Sequence, residues 1–233
     1  MLKPIGVQSI NRFSALVLGN TGSGKTSLLR TIPDNERVCC LSAEAGLLSV
    51  RDLVESGKVE GFEIGSFADL KEVYQLFLSP DFKSKYSWIF LDSLTEISGR
   101  CNESMQAKYT KGEDTFKRWN DYGDSMLSII KGFRDLSSYS VVFTCLPTVQ
   151  LDDLNRRYIG ADIAGKQLKE RLPSYFDLVL YLVTQTTDDG TPYRCFLTSN
   201  SDRYPGKDRS GKLGPVEKPD LGYLRNKILG GGN

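Results

Sequence analysis

Residues Gly19, Asn20, Thr21, Gly22, Ser23, Gly24, Lys25 and Thr26 constrain this chain more than any other stretch. They fit the phosphate-binding pattern G-x-x-x-x-G-K-[ST]. An apolar run, Phe13 to Leu18, precedes them and reads as a buried strand. Ser27-Leu28-Leu29-Arg30 follows and reads as the start of a helix, ending near Ile32 ahead of Pro33. Glycines let such a loop curl until its N–H groups point at phosphate oxygens, and the helix start behind it adds positive potential. Lys25 would neutralise the outer phosphates of a nucleotide such as ATP, and the Thr26 hydroxyl would ligate Mg²⁺. A chance glycine-rich turn would not bring the strand, the helix and the Lys-Thr pair with it.

A chain of 233 residues allows one α/β domain, with the first 12 residues as a short arm and residues 13–233 as the domain. Net charge is +1, so no global field draws in nucleic acid, and any such binding must come from local basic loops. There is no histidine, and the five cysteines form no C-x-x-C pair, which argues against a zinc site and against histidine catalysis. Cys39, Cys40, Cys145 and Cys195 lie in strand-like apolar runs and read as small core residues. A free odd count suits a reducing cytosol. No signal-peptide apolar region and no run of membrane-spanning length are present in the sequence, so a cytosolic chain is expected.

Strand and helix patterns alternate along the rest. Arg37 to Ser42 reads as a second strand leading into Ala43-Glu44, a carboxylate at the strand edge where open α/β sheets bind ligands. A helix is expected over 45–56 and a short strand at Phe62-Glu63-Ile64. Ser66 to Asp69 has the form of a capping box, opening a helix with Leu70, Val73, Tyr74, Phe77 and Leu78 on one face. Tyr86 to Asp92 is an apolar strand ending in Asp, the Walker B arrangement in which that Asp holds Mg²⁺ through water; capping the next helix is its competing role. Helices are expected over 93–110 and 115–136. The stripe Trp119, Tyr122, Met126, Ile129, Phe133 and Leu136 of the second reads as core.

Ser140 to Leu146 is another buried strand. Residues 147–173 read as a long irregular segment, either a solvated surface loop or a functional one; its cations are Arg156, Arg157, Lys166, Lys169 and Arg171. Phe176–Val183 and Tyr193–Thr198 pair as an antiparallel hairpin across Thr187-Asp188-Asp189-Gly190. From about residue 201 the chain is basic, glycine-rich and expected to be flexible, before a short helix over Leu221–Leu229. The sum is a mostly parallel sheet flanked by helices, with an antiparallel hairpin near its end.

The segments Ser42 to Leu47 and Ile89 to Thr95 carry a resemblance. An acidic residue after the second strand, together with a Walker B Asp followed by Ser, resembles the RecA family core, a P-loop NTPase fold. Three later features are similar to the Sak-type RecA-like proteins of phages, which are implicated in single-strand annealing and recombination. Lys166 to Pro173 leads into Phe176 to Leu180; Tyr193 to Thr198 follows; then comes Lys207-Asp208-Arg209. The resemblance spans roughly residues 13–230.

What the resemblance implies is specific. The chain would be a Mg²⁺-dependent, DNA-stimulated ATPase that binds single-stranded DNA and promotes annealing. Glu44 would orient or deprotonate the attacking water. Lys207 and Arg209 would reach the phosphates of a neighbouring subunit in a ring or filament of identical chains, placing the active site between subunits. The loops near Lys108 and Lys111, and those near Arg156, Arg157, Lys166 and Lys169, would face DNA, with Tyr109 or Tyr158 able to stack bases. A single-strand DNA-binding protein is a further expected partner, and a phage protein would work in the host cytosol. The glutamine that senses the terminal phosphate in RecA has no assigned counterpart: Thr144 lies near the expected place and Gln150 further on. Two other readings remain open on the residues alone, a P-loop kinase acting on a small metabolite and a nucleotide-dependent switch that does not turn over.

Overall fold

The computed structural model describes residues 11–44, 46–109, 114–151 and 154–230. In chain order, strand β1 is Ser14–Gly19, and a short 3₁₀ helix Thr26–Thr31 follows the glycine loop. Strand β2 is Val38–Ser42, a 3₁₀ turn Leu47–Val50 leads into α1 (Arg51–Glu55), and β3 is Val59–Glu63. Then come α2 (Phe67–Phe77), α3 (Pro80–Lys85), β4 (Trp88–Asp92), α4 (Leu94–Lys108) and α5 (Thr115–Arg134). Strand β5 is Ser140–Cys145, β6 is Pro147–Leu151, β7 is Arg157–Ala161 and α6 is Lys166–Arg171. The last elements are β8 (Leu178–Thr186), β9 (Pro192–Leu197), β10 (Lys207–Asp208), β11 (Val216–Glu217) and α7 (Leu221–Leu229).

The main sheet runs β11-β9-β8-β1-β5-β4-β2-β3, with β10 against β8. The six strands from β8 to β3 in that order are all parallel. Their apolar runs are continuous because both faces are covered. Along β1, Leu16 and Leu18 face one layer with α2, α4 and α5, while Ala15 and Val17 face the other with the first 3₁₀ helix and α7. Strand β5 lies between β1 and β4, so the loop after β1 and the Asp ending β4 sit two strand positions apart at one end of the sheet.

The capping box at Ser66 and Asp69 opens α2, the Asp69 N–H and carboxylate both bonding Ser66. Leu78, expected on that helix's buried face, is exposed because the helix stops at Phe77. The segment after the glycine loop is 3₁₀, with bonds such as Leu28 N–H to Lys25 O at 3.1 Å. Pro33 holds Ile32 in an extended conformation, so the helical segment ends at Thr31.

Further expectations need correction. The segment expected to be irregular over 147–173 carries regular elements among its described residues: β6 and β7 pair antiparallel as a separate two-stranded ribbon, and α6 follows. The alternation that makes the ribbon is hidden by its exposure, with Val149 and Leu151 on an open face. Trp119 is not core. It is 38% exposed and Phe116, one turn earlier, is 74% exposed; the buried face of α5 begins at Tyr122, and Trp119 only packs edge-on against that ring. The basic segment after residue 201 contributes β10, and Asp208 accepts bonds from Ser210 and Leu213.

Candidate nucleotide site

The glycine loop leaves β1 at Gly19 and returns at Lys25. Gly22 and Gly24 have φ of 75° and 92°, backbone that residues with a Cβ rarely adopt. The space where a Cβ at Gly22 would point is open, and the buried Ser23 hydroxyl has no hydrogen-bond partner. Such a cradle with an unsatisfied polar atom fits an anionic guest. Lys25 is buried, and its Nζ donates to Gly19 O at 2.8 Å and Asn20 O at 3.1 Å. Burial pushes the Lys25 amine below its usual range, while Asp92 and Glu44 pull it back up. A lysine in that state gains charge stabilisation when phosphate arrives. Ser27, the second residue of the 3₁₀ helix behind the loop, stays half-buried beside Gly24.

Both carboxylates expected near the loop are there. Thr26 Oγ1 donates to Asp92 Oδ2 at 2.6 Å. The other Asp92 oxygen accepts from Thr144 at the end of β5, whose side chain is fully buried. Thr144 therefore fixes the Asp92 carboxylate from the intervening strand, a role that the sequence leaves unassigned; Gln150 instead bonds within the β6–β7 ribbon. Asp92 is not a helix cap. Ser93 takes that role for α4, accepting from the Glu96 N–H at 3.5 Å.

Ser93 also donates to Glu44 Oε1. Arg100, further along α4, donates to Ala43 O at 2.9 Å and Gly65 O at 2.8 Å. The start of α4 thus clamps the loop after β2 and aims Glu44 at the site. Among the described residues no group of three or more His, Cys, Asp or Glu side chains forms a metal cage. Mg²⁺ would therefore be held by Thr26 and Asp92, with phosphate and water oxygens completing an octahedron. The residues present fit that group.

The remaining sequence candidates lie elsewhere. Lys207 and Arg209 do not join this chain's own site. Lys207 pairs in register with Val179 near the start of β8, whereas Gly19 pairs with Leu182 further along it. Lys207 donates to Pro173 O and Ser174 O at 3.2 Å, and Arg209 to Asp177 at 2.7 Å. Lys108 is ion-paired with Asp121 at 2.7 Å, Tyr109 bonds the same Asp121, and Lys111 lies outside the described residues. Arg156 and Arg157 are exposed at the β6–β7 turn, Tyr158 donates to Gln150 at 2.7 Å, and Lys166 pairs with Glu170 at 3.8 Å. Lys169 lines a cavity of about 400 Å³ with Arg156, Tyr158 and Tyr204.

A parallel sheet with a glycine-rich phosphate loop after its first strand, a Lys-Thr pair and a facing strand-end Asp define a P-loop NTPase. The chain belongs to the AAA-domain family, whose family model matches residues 11–210. A search of curated proteins finds no match for it. No helix among the described residues is long and apolar enough to cross a membrane.

Proposed function

We propose that this P-loop NTPase is a Mg²⁺-dependent ATPase of the RecA-like recombination type that binds single-stranded DNA and promotes annealing. The observation that carries the ATPase reading is the meeting of Lys25, Thr26, Asp92 and Glu44 at one end of the sheet. Glu44, aimed by Ser93, is the general base or water-orienting carboxylate; Asp92 and Thr26 hold the metal; Lys25 neutralises the outer phosphates. In support of the DNA reading, the β6–β7 ribbon follows directly on β5 at the site's end of the sheet and carries exposed Arg156 and Arg157. A grip on DNA that rests on such cations weakens steeply with salt. In an assembly of identical chains, Lys207 and Arg209 act on a neighbour's nucleotide after releasing their own partners.

The test is ATP turnover with and without single-stranded DNA at low and high salt, for the wild type, Lys25→Ala and an Arg156→Ala/Arg157→Ala double variant. The proposal expects DNA-stimulated turnover that Lys25→Ala abolishes, with stimulation lost in the double variant and at high salt. Phosphate transfer to a small acceptor with no DNA effect would favour a kinase. Tight nucleotide binding with no turnover would favour a switch.

A further inference from the structure

We propose that Arg194, on β9, is a phosphate-binding residue of the nucleotide site, supplied by the same chain and directed at the phosphates nearest the nucleoside. The inference rests on residues 19–26 being the nucleotide site. Strand register brings Arg194 there. Gly19 pairs with Leu182 of β8, but β8 continues to Thr186, so the β8–β9 hairpin runs on past the point where β1 gives way to the glycine loop. Arg194 pairs with Thr184 in that overhang.

Its side chain turns back over the loop. The Arg194 Nη1 atom lies 2.0 Å from where a Cβ on Gly24 would sit, so the guanidinium rests on the bare Cα of that glycine. Among the described residues the Arg194 side chain has no hydrogen bond and no ion pair. Several other arginines are already engaged: Arg225 grips Glu36, Arg209 grips Asp177 and Arg100 grips two carbonyls. A guanidinium is a planar fork of N–H donors suited to phosphate oxygens, and here it is unspent beside a phosphate cradle.

Direction follows from topology. Glu44 and Asp92 reach the site from β2 and β4, on the β5 side of β1, and they mark where the terminal phosphate and its metal lie. Arg194 comes from β9, on the β8 side. It therefore meets the inner phosphates, which ADP and ATP share. Lys25 serves the end that reacts; Arg194 serves the end that is kept.

The test is calorimetric titration of ADP and of ATP into the wild type, Arg194→Gln, Arg194→Lys and Lys25→Ala, with thermal melts to confirm folding. Arg194→Gln should weaken both nucleotides by the same factor, about tenfold or more, as expected for losing a charge-assisted hydrogen bond. Arg194→Lys should recover part of that loss, since a point charge lacks the fork. Wild-type affinity in Arg194→Gln for both nucleotides, or a loss confined to ATP, overturns the assignment. A wild type that binds neither nucleotide, indistinguishable from Lys25→Ala, instead overturns the underlying reading of the glycine loop. Should Arg194→Gln unfold, Arg194→Lys carries the same comparison.

Discussion

Thr26 and Asp92 stand 66 positions apart, and the hydroxyl of one donates to the carboxylate of the other at 2.6 Å. Thr26 follows the loop after β1 and Asp92 ends β4; Thr144, from the strand between them, holds the second Asp92 oxygen. Two oxygens fixed this way could serve in a divalent-metal shell that phosphate and water would complete.

Thr26→Val should lower Mg²⁺ affinity in the presence of nucleotide by roughly 10- to 100-fold, the scale of losing a supporting oxygen at a metal. Thr144→Val leaves one Asp92 oxygen unheld and should give a smaller loss. Metal titrations of the nucleotide complex check both. Equal Mg²⁺ dependence in all three proteins would refute this arrangement.

Glu44→Gln should retain nucleotide binding and slow turnover by about 100-fold or more, as for loss of a general base. Ser93→Ala frees Glu44 from its hydroxyl partner without removing the carboxylate, so its loss should be intermediate. Single-turnover kinetics at saturating nucleotide separate the two. Full-speed hydrolysis by Glu44→Gln removes that residue from the catalytic role.

Glu36 ties the last helix to the sheet. Its carboxylate accepts from Arg225 at 2.7 and 2.6 Å and from the Trp88 indole, and the Arg225 guanidinium stacks 5.0 Å over the Trp88 ring. Burial alone pushes the Glu36 carboxyl up, but the Arg225 and Trp88 hydrogen bonds and the Arg225 charge together outweigh it and hold the group below its usual range. A depressed carboxyl stabilises the fold above its unfolded pKa of about 4.3 and loses that contribution as pH falls through the folded value. Glu36→Gln should therefore cost about 2 kcal/mol at neutral pH, with the gap to wild type closing as pH drops towards and below about 4. Urea denaturation across that range is the measurement; a gap that widens on acidification contradicts it.

All five cysteines are free and buried. Burial pushes every thiol up, Cys101 and Cys145 to about 12 and Cys39, Cys40 and Cys195 in the same direction. Native protein at pH 8 should react with a thiol reagent only as fast as it opens, and denaturant should release all five. Prompt labelling of any one in the native state would mean that its strand or helix opens locally.

Much of the site is legible in the order of residues along the chain. The glycine loop announces itself because its geometry is local: glycines at positive φ, then Lys and Thr, between a strand and a helical turn. Strands buried on both faces write continuous apolar runs, so Asp92 and Glu44 can be placed at strand ends without knowledge of the sheet order. Trp119 misleads because its spacing matches the core stripe, and spacing alone does not say at which turn burial begins. The ribbon at residues 147–161 is obscured because a two-stranded element open to solvent need not alternate cleanly.

By itself, then, the sequence determined the phosphate loop, the parallel strands and the two carboxylates that lie near it, because each depends on neighbours a few residues away. Only the tertiary structure decided that Thr144 steadies Asp92, that Ser93 and Arg100 aim Glu44, and that Arg194 lies over Gly24. Those relations depend on strand order and on the register of β8 with β1 and β9. They join side chains brought together by the packing of the whole sheet, and no local pattern records such a meeting.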